Sequence, residues 1–501
     1  MSRDRMRDVE LADDGEQGAA NEVARARGNP SHGRREAGSV VPSGGEVRPV
    51  RRARRRWLLL GGALALLLAA VVVVDGLRTR ARAAHLAAVA GLLEPVDDSL
   101  SEVWSQSGGW HTFEWVYGPD LMVTIFSDLR LVANDIVTGE QRWDVALAEV
   151  AVFDFEAVKC HALGADVDVS THIACRFEDN APPGAELPAY GPLSAARLVV
   201  FDAQTGETVG SRSLGYGFGT VTALGSDILV TTVLADGRVQ VTREDPPTGR
   251  ARWTVQSERP LPGAGSGAGP RAPEVQTGHG VITLSGPIAM ALSEEGEVLG
   301  EWTAQGVEAD AGPVELAALA DGRFVVGTPN AQADVPYGTV SATDARDGFP
   351  IVGPLLALDV DDGSASDLLL TTSAARDEIV AVDARTGEPE WSAKATPRAG
   401  ALLLDRRLIT TAGNDLIALD TRNGRRLWTA ANGPPEDQDL LTDGRVVLVP
   451  DVDNEESILT AVDITDGRVL WRTTGPPEVI RFYEVGRRLI ALQQEQMIQL
   501  G

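Results

Sequence analysis

Lysine is nearly missing from this chain: Lys159 and Lys394 are its only two, so arginine supplies almost all of the 45 basic residues. Usage this one-sided reflects genomic composition and not an arginine-based recognition surface. Histidines number six, and His32, His85, His111 and His279 are scattered, with no His-Glu pairing of the metalloprotease kind. No serine sits in a Gly-x-Ser-x-Gly elbow. The glycine-rich Gly215-Tyr216-Gly217-Phe218-Gly219 and the stretch 263–269 lack the strand, lysine and helix that a phosphate loop needs, so both read as loops. Hydrolase, kinase, nucleotide-binding and metalloprotease chemistry are left without a signature, and no catalytic residue, metal ligand or cofactor is assigned.

Charge is present but split. Residues 1–56 hold 13 arginines and nine acidic residues, net +4, which leaves −31 for the rest of a chain at −27. A body this acidic disfavours nucleic acid and anionic lipid as partners. The first 50 or so residues are rich in Gly, Ala, Ser, Arg and Glu without apolar periodicity, so residues 1–56 are expected to be a disordered tail. Eighteen apolar residues follow, from Trp57 to Val74, closed by Asp75-Gly76. At about 1.5 Å per residue the run spans roughly 27 Å, close to a hydrocarbon core of about 30 Å. It is read as one transmembrane helix over 57–76.

Six arginines lie between Arg48 and Arg56, against three at Arg78, Arg80 and Arg82, so the positive-inside bias keeps the N-terminus cytoplasmic and the remainder extracytoplasmic. The expected location is the cell membrane, with a single pass. A cleaved export signal is the rival reading: Arg54-Arg55-Arg56-Trp57-Leu58 resembles a twin-arginine motif, and Ala81-Arg82-Ala83 offers a cleavage site. Residues 77–100 are expected to form a short stalk.

The dominant positive signal is a repeat. Ala-x-Asp, then glycine four residues on, then tryptophan four further, is intact at Ala133-Asp135-Gly139-Trp143, Ala381-Asp383-Gly387-Trp391, Ala418-Asp420-Gly424-Trp428 and Ala461-Asp463-Gly467-Trp471. Degraded copies are Phe201-Asp202-Gly206, Asp245-Gly249-Trp253, Ala291-Gly296-Trp302 and Ala342-Asp344-Gly348. A β-rich period of roughly 40–50 residues is the signature of a propeller. Within 401–429 four short apolar runs are separated by turn residues, one four-stranded blade. Asp420 can bond its own backbone, and Gly424 is free to take positive φ. The expected fold is all-β: an eight-bladed propeller of four-stranded antiparallel blades over 101–501, with Trp143, Trp253, Trp302, Trp391, Trp428 and Trp471 packing between blades. Counting strands instead of motifs gives nine blades if every run is real, and a merger of one degenerate copy with its neighbour between Gly327 and Asp377 is expected to reconcile the two counts. Three motif-free runs follow Trp471, and Val103-Trp104-Ser105 is placed to complete them as a shared closing blade.

The pattern Ala-x-Asp-x-x-Thr-Gly-x-x-x-Trp, at Ala133–Trp143 and Ala381–Trp391, resembles the tryptophan-docking repeat of pyrroloquinoline-quinone-like propellers. The resemblance covers about residues 100–501. It implies the fold and leaves activity open, because that superfamily holds quinone-dependent dehydrogenases and non-enzymatic envelope scaffolds. The dehydrogenase branch implies an adjacent cysteine pair on the quinone and calcium held by Glu, Asn and Asp. This chain has no adjacent cysteines, so the resemblance implies the non-enzymatic branch.

Cys160 and Cys175 fall on the two arms of an expected extracytoplasmic hairpin, which suits a disulfide. With His161 and His172 they also form Cys-His-x10-His-x2-Cys, a zinc set of unusual spacing, and free thiols are the third reading. The acidic stretches 359–367 and 451–456 resemble calcium loops, with solvated turns as the alternative. The functional expectation is a membrane-anchored binding or scaffold module with an envelope protein or glycan as partner, engaged through the insertions Asp179–Ala195 and Arg259–Pro273. The alternatives are a ligand sensor signalling to the tail and a quinone-dependent dehydrogenase.

Overall fold

The computed structural model describes residues 82–501 apart from gaps that include 147–157, 181–193, 262–272, 304–313, 328–337 and 342–347. The described residues all fall within 76–501, the second of two units into which the chain divides. The expected tail at 1–56 and transmembrane helix at 57–76 lie outside the described residues. Among the described residues, no helix is long and apolar enough to cross a membrane.

Short strands joined by tight hairpins dominate. Among the described residues they form nine sheets, successive along the chain over 112–146, 158–216, 219–260, 274–303, 315–351, 368–394, 402–430, 441–474 and 479–500. Within each, neighbouring strands pair antiparallel in chain order. Two depart from plain four-strand meanders. The sixth is three-stranded, extended by a bridge from Leu355 to Thr371. The seventh gains Val360–Asp361, which runs parallel to Leu402–Leu404 along its first edge.

The ninth sheet is closed from the far end of the domain. Glu102–Ser107 pairs antiparallel with Gln496–Leu500, so the outermost strand of the last sheet precedes all the others in sequence. Nine sheets exceed the eight motif copies by one because this composite sheet has no hairpin between its third and fourth strands, where the motif would lie.

Apolar residues alternate along the middle strands and meet those of the next sheet. The first and second sheets share one cluster around Leu131, Ile173 and Phe177, and the eighth and ninth share another around Leu448 and Phe482. A lone sheet would leave both faces wet, so each is stabilised by its neighbours. The segment expected to be a stalk joins this packing. Leu92, Leu93 and Val96 are buried, and Leu93 N–H donates to Thr442 O at 2.8 Å.

Candidate functional site

The repeat motif builds a hairpin and then a seam. In the first sheet Asp135 Oδ1 accepts the N–H groups of Val137 and Thr138, both at 2.9 Å, and Gly139 N–H returns to Asp135 O at 2.9 Å. Asp202 and Asp383 hold their turns the same way. Each turn ends on a glycine with φ near +70°, as at Gly139, Gly206 and Gly387. Burial alone would raise the Asp135 carboxyl, but Arg142 and the turn amides outweigh it and hold it at about 2. Arg142 also reaches Asp120 at 2.8 Å, and Asp120 accepts Ser170 N–H from the second sheet at 2.9 Å. These acids are structural struts.

The glycine exposes bare backbone to the indole of the preceding sheet. Trp143 lies over Gly206, Trp253 over Gly296, Trp391 over Gly424 and Trp428 over Gly467. Each indole N–H then donates to the residue after the motif aspartate or its equivalent: Trp143 to Ala203 O at 2.9 Å, Trp253 to Glu294 O at 2.9 Å, Trp391 to Thr421 O at 2.6 Å and Trp428 to Ile464 O at 3.0 Å. Trp302 packs edge-on against Phe324 of the fifth sheet at 5.0 Å, and Trp471 joins the cluster shared with the ninth sheet.

Three docking side chains were not evident from the motif. Trp104, on the strand that completes the ninth sheet, lies over Gly139 and donates to Ile136 O at 3.3 Å. Phe349 covers Gly387, and Arg212 covers Gly249. Gly210 and Gly300 stand where the indole-bearing residue pairs in other sheets, opposite Val200 and Ala291. The docking residue then comes two positions later, as Arg212 or Trp302. The shift from four residues after the turn glycine to six is the available sequence signal.

Cys160 and Cys175 sit opposite each other on adjacent strands of the second sheet and form a disulfide. Both sulfurs are thereby used, which removes them as zinc ligands. Burial lowers the His161 pKa, and His172 Nδ1 lies 3.1 Å from Thr171 Oγ1.

The acidic stretch 359–367 spends its carboxylates on the fold. Asp361 accepts Gly363 N–H at 2.8 Å, Asp362 accepts the N–H groups of Ser364 and Asp405, and Asp367 pairs with Arg406 at 2.8 Å. Among the described residues no cluster of His, Cys, Asp or Glu is arranged to hold a metal ion. Asp359 is pushed up to about 6 by partial burial and by the Asp439 carboxylate, although the residue as a whole is exposed. Most of the insertions Asp179–Ala195 and Arg259–Pro273, namely 181–193 and 262–272, and part of the second acidic stretch, 453–455, lie outside the described residues.

One cavity of about 140 Å3 opens where the ninth sheet is closed. It is lined by 94–97, 99–100, 487–489 and 499–501. In other sheets the residue after the motif aspartate donates its N–H to the turn before the second strand, as Thr421 does to Arg406 O and Ile464 to Arg445 O. Here Glu94 N–H takes that place on Arg487 O, at 2.6 Å. The cavity thus replaces a missing hairpin.

Residues 338–486 match the family model described as outer membrane protein assembly factor BamB. No curated protein matches the chain. Solved structures similar to it include BamB from Moraxella catarrhalis, at 14% identity over 80% of this chain and 99% of that one, TM-score 0.39. A quinohemoprotein alcohol dehydrogenase, ADHIIG from Pseudomonas putida HK5, has 13% identity over 82% of this chain and 78% of that one, TM-score 0.41. A crystal structure of the eukaryotic initiation factor has 12% identity over 77% and 90%, TM-score 0.47. The match over residues 338–486 supports a repeat of the pyrroloquinoline-quinone-like β-propeller kind in that part of the chain.

Proposed function

We propose that the chain is a membrane-anchored, extracytoplasmic propeller that serves as a binding or scaffold module at the cell envelope. The observation that carries this reading is the match of residues 338–486 to a family described as an outer membrane assembly factor. The docked seams support it, since sheets locked face to face present their connecting loops on a rigid frame. In this reading the nine sheets are blades of one ring, the eight motif blades plus the composite one. The apolar run Trp57–Val74 is the anchor, and the partner is an envelope protein or glycan met by the insertions around 181–193 and 262–272.

The test is photo-crosslinking from those two insertions in intact cells, followed by mass spectrometry of the membrane fraction. Discrete envelope adducts that disappear when the insertion is deleted are expected. A chain that fractionates as soluble, or that gives no adduct from either insertion, overturns the reading. Titration with pyrroloquinoline quinone and calcium tests the dehydrogenase alternative, and dye-linked oxidation of alcohol or sugar would decide for it.

A further inference from the structure

The cavity at the closing sheet is more than a packing gap, because Arg488 and Gln499 in its lining are poorly paired. Arg488 reaches Glu94 through two contacts of 3.3 Å, longer than the roughly 2.7–2.9 Å of a strong charge-assisted pair. The Glu94 side chain is 54% exposed and so loosely held. Arg488 Nε is buried without a hydrogen-bond partner. Gln499 is only 2% exposed, and its Oε1 is also without one. Buried polar atoms left unpaired are costly, so a complement is favoured.

We propose that this cavity binds an α-carboxylate with a neighbouring N–H, the chemistry shared by a small free amino acid and the C-terminal residue of a peptide. The carboxylate displaces Glu94 and takes the fork of Arg488, with Arg487 beside it. The N–H of the ligand donates to Gln499 Oε1, which has almost no surface open to the cavity in this structure and is reached only once Glu94 has moved. Glu94 is the internal surrogate for that carboxylate and lowers affinity by competing. Two arginines and the acids Glu94 and Asp97 line the space, so a dianion such as phosphate meets as much repulsion as attraction. A volume of about 140 Å3 is close to the roughly 150 Å3 of a cavity that takes up benzene, enough for one small residue. This inference goes beyond the scaffold reading and stands without it.

The test is calorimetric titration of the purified full chain with alanine, with Ala-Ala-Ala and with the C-terminally amidated tripeptide. Binding of either free acid, with the amide failing, supports the site, and the stronger of the two names its source. Arg488→Gln should weaken binding roughly tenfold or more, the loss expected of a charge-assisted fork, while Glu94→Gln should tighten it several-fold. The second variant keeps the test decisive if the first fails to fold. No heat from any ligand up to millimolar concentration, equal binding of the amidated tripeptide, or unchanged affinity in Glu94→Gln overturns the proposal.

Discussion

The indole of Trp391 closes over Gly424 so tightly that a methyl group on that α-carbon would lie 2.6 Å from Cε3. Gly424 also has φ +68°. Gly424→Ala therefore suffers twice, from left-handed backbone at about 1–2 kcal/mol and from overpacking at about 1–3 kcal/mol. Gly413 is the control, with φ +63° and nothing within 4 Å of the added methyl. Gly413→Ala should lose only the backbone part. Urea unfolding of both variants checks this, and equal losses would mean that the indole yields and the seam is not closely docked.

A second prediction separates the two things a docked indole does. Trp428 fills the seam between the seventh and eighth sheets and donates to Ile464 O at 3.0 Å. Trp428→Phe keeps much of the packing but strands that carbonyl, at about 1–3 kcal/mol. Trp428→Ala should lose about 3–5 kcal/mol. If both variants melt together, the hydrogen bond decides the seam and the ring's volume does not.

Much of this arrangement was legible in the chain because one hairpin recurs, and Asp-x-x-x-Gly fixes a turn wherever it is placed. What the pattern missed has particular causes. Trp104 precedes the first motif copy and belongs to the last sheet, so no spacing connects it to its neighbours. Gly210 and Gly300 occupy the position of the docking residue, and Arg212 and Trp302 reach it from two positions on. Leu92 and Leu93 read as stalk because their partner, Thr442, lies at the other end of the sequence. The cavity was not legible at all, since it arises from a hairpin that the closing sheet lacks.

The disulfide between Cys160 and Cys175 lies within the core shared by the first two sheets, and both residues are buried. Non-reducing mass spectrometry of the folded protein should find no alkylatable thiol, and mild reductant should leave the bridge intact until denaturant is added. Replacing both cysteines by serine closes off the bridge and also strands two hydroxyls in an apolar site. The expected loss is about 2–5 kcal/mol. A double variant as stable as the parent would make the bridge incidental to folding.

Asp359 gives the fold a pH dependence of defined sign. Its pKa is about 6 in the folded chain against 3.8 for an unperturbed group, so between those values the folded state holds more protons than the unfolded one. Its contribution is favourable below about pH 4 and is lost as pH rises through about 6. The carboxylate is partly exposed, so the effect is small, under about 1 kcal/mol. Asp359→Asn should flatten that part of the stability profile between pH 4 and 7. An unchanged profile would assign the dependence to other groups.

The packing of Leu93 decides whether the segment before Glu102 is a spacer or part of the closing device. Its side chain is buried with Leu441, Leu448 and Phe482, and its N–H is held by Thr442 O. Leu93→Ala leaves a cavity between the eighth and ninth sheets and should cost about 2–5 kcal/mol. Alanine at Ser99, whose side chain bonds only the neighbouring Asp97 on the surface, should change stability by less than about 0.5 kcal/mol. If Leu93→Ala is equally silent, the strand Glu102–Ser107 alone closes the domain. If instead it lowers the urea midpoint as strongly as Trp428→Ala, the chain entering the domain is clamped across two sheets, and tension on that segment acts directly on the closure.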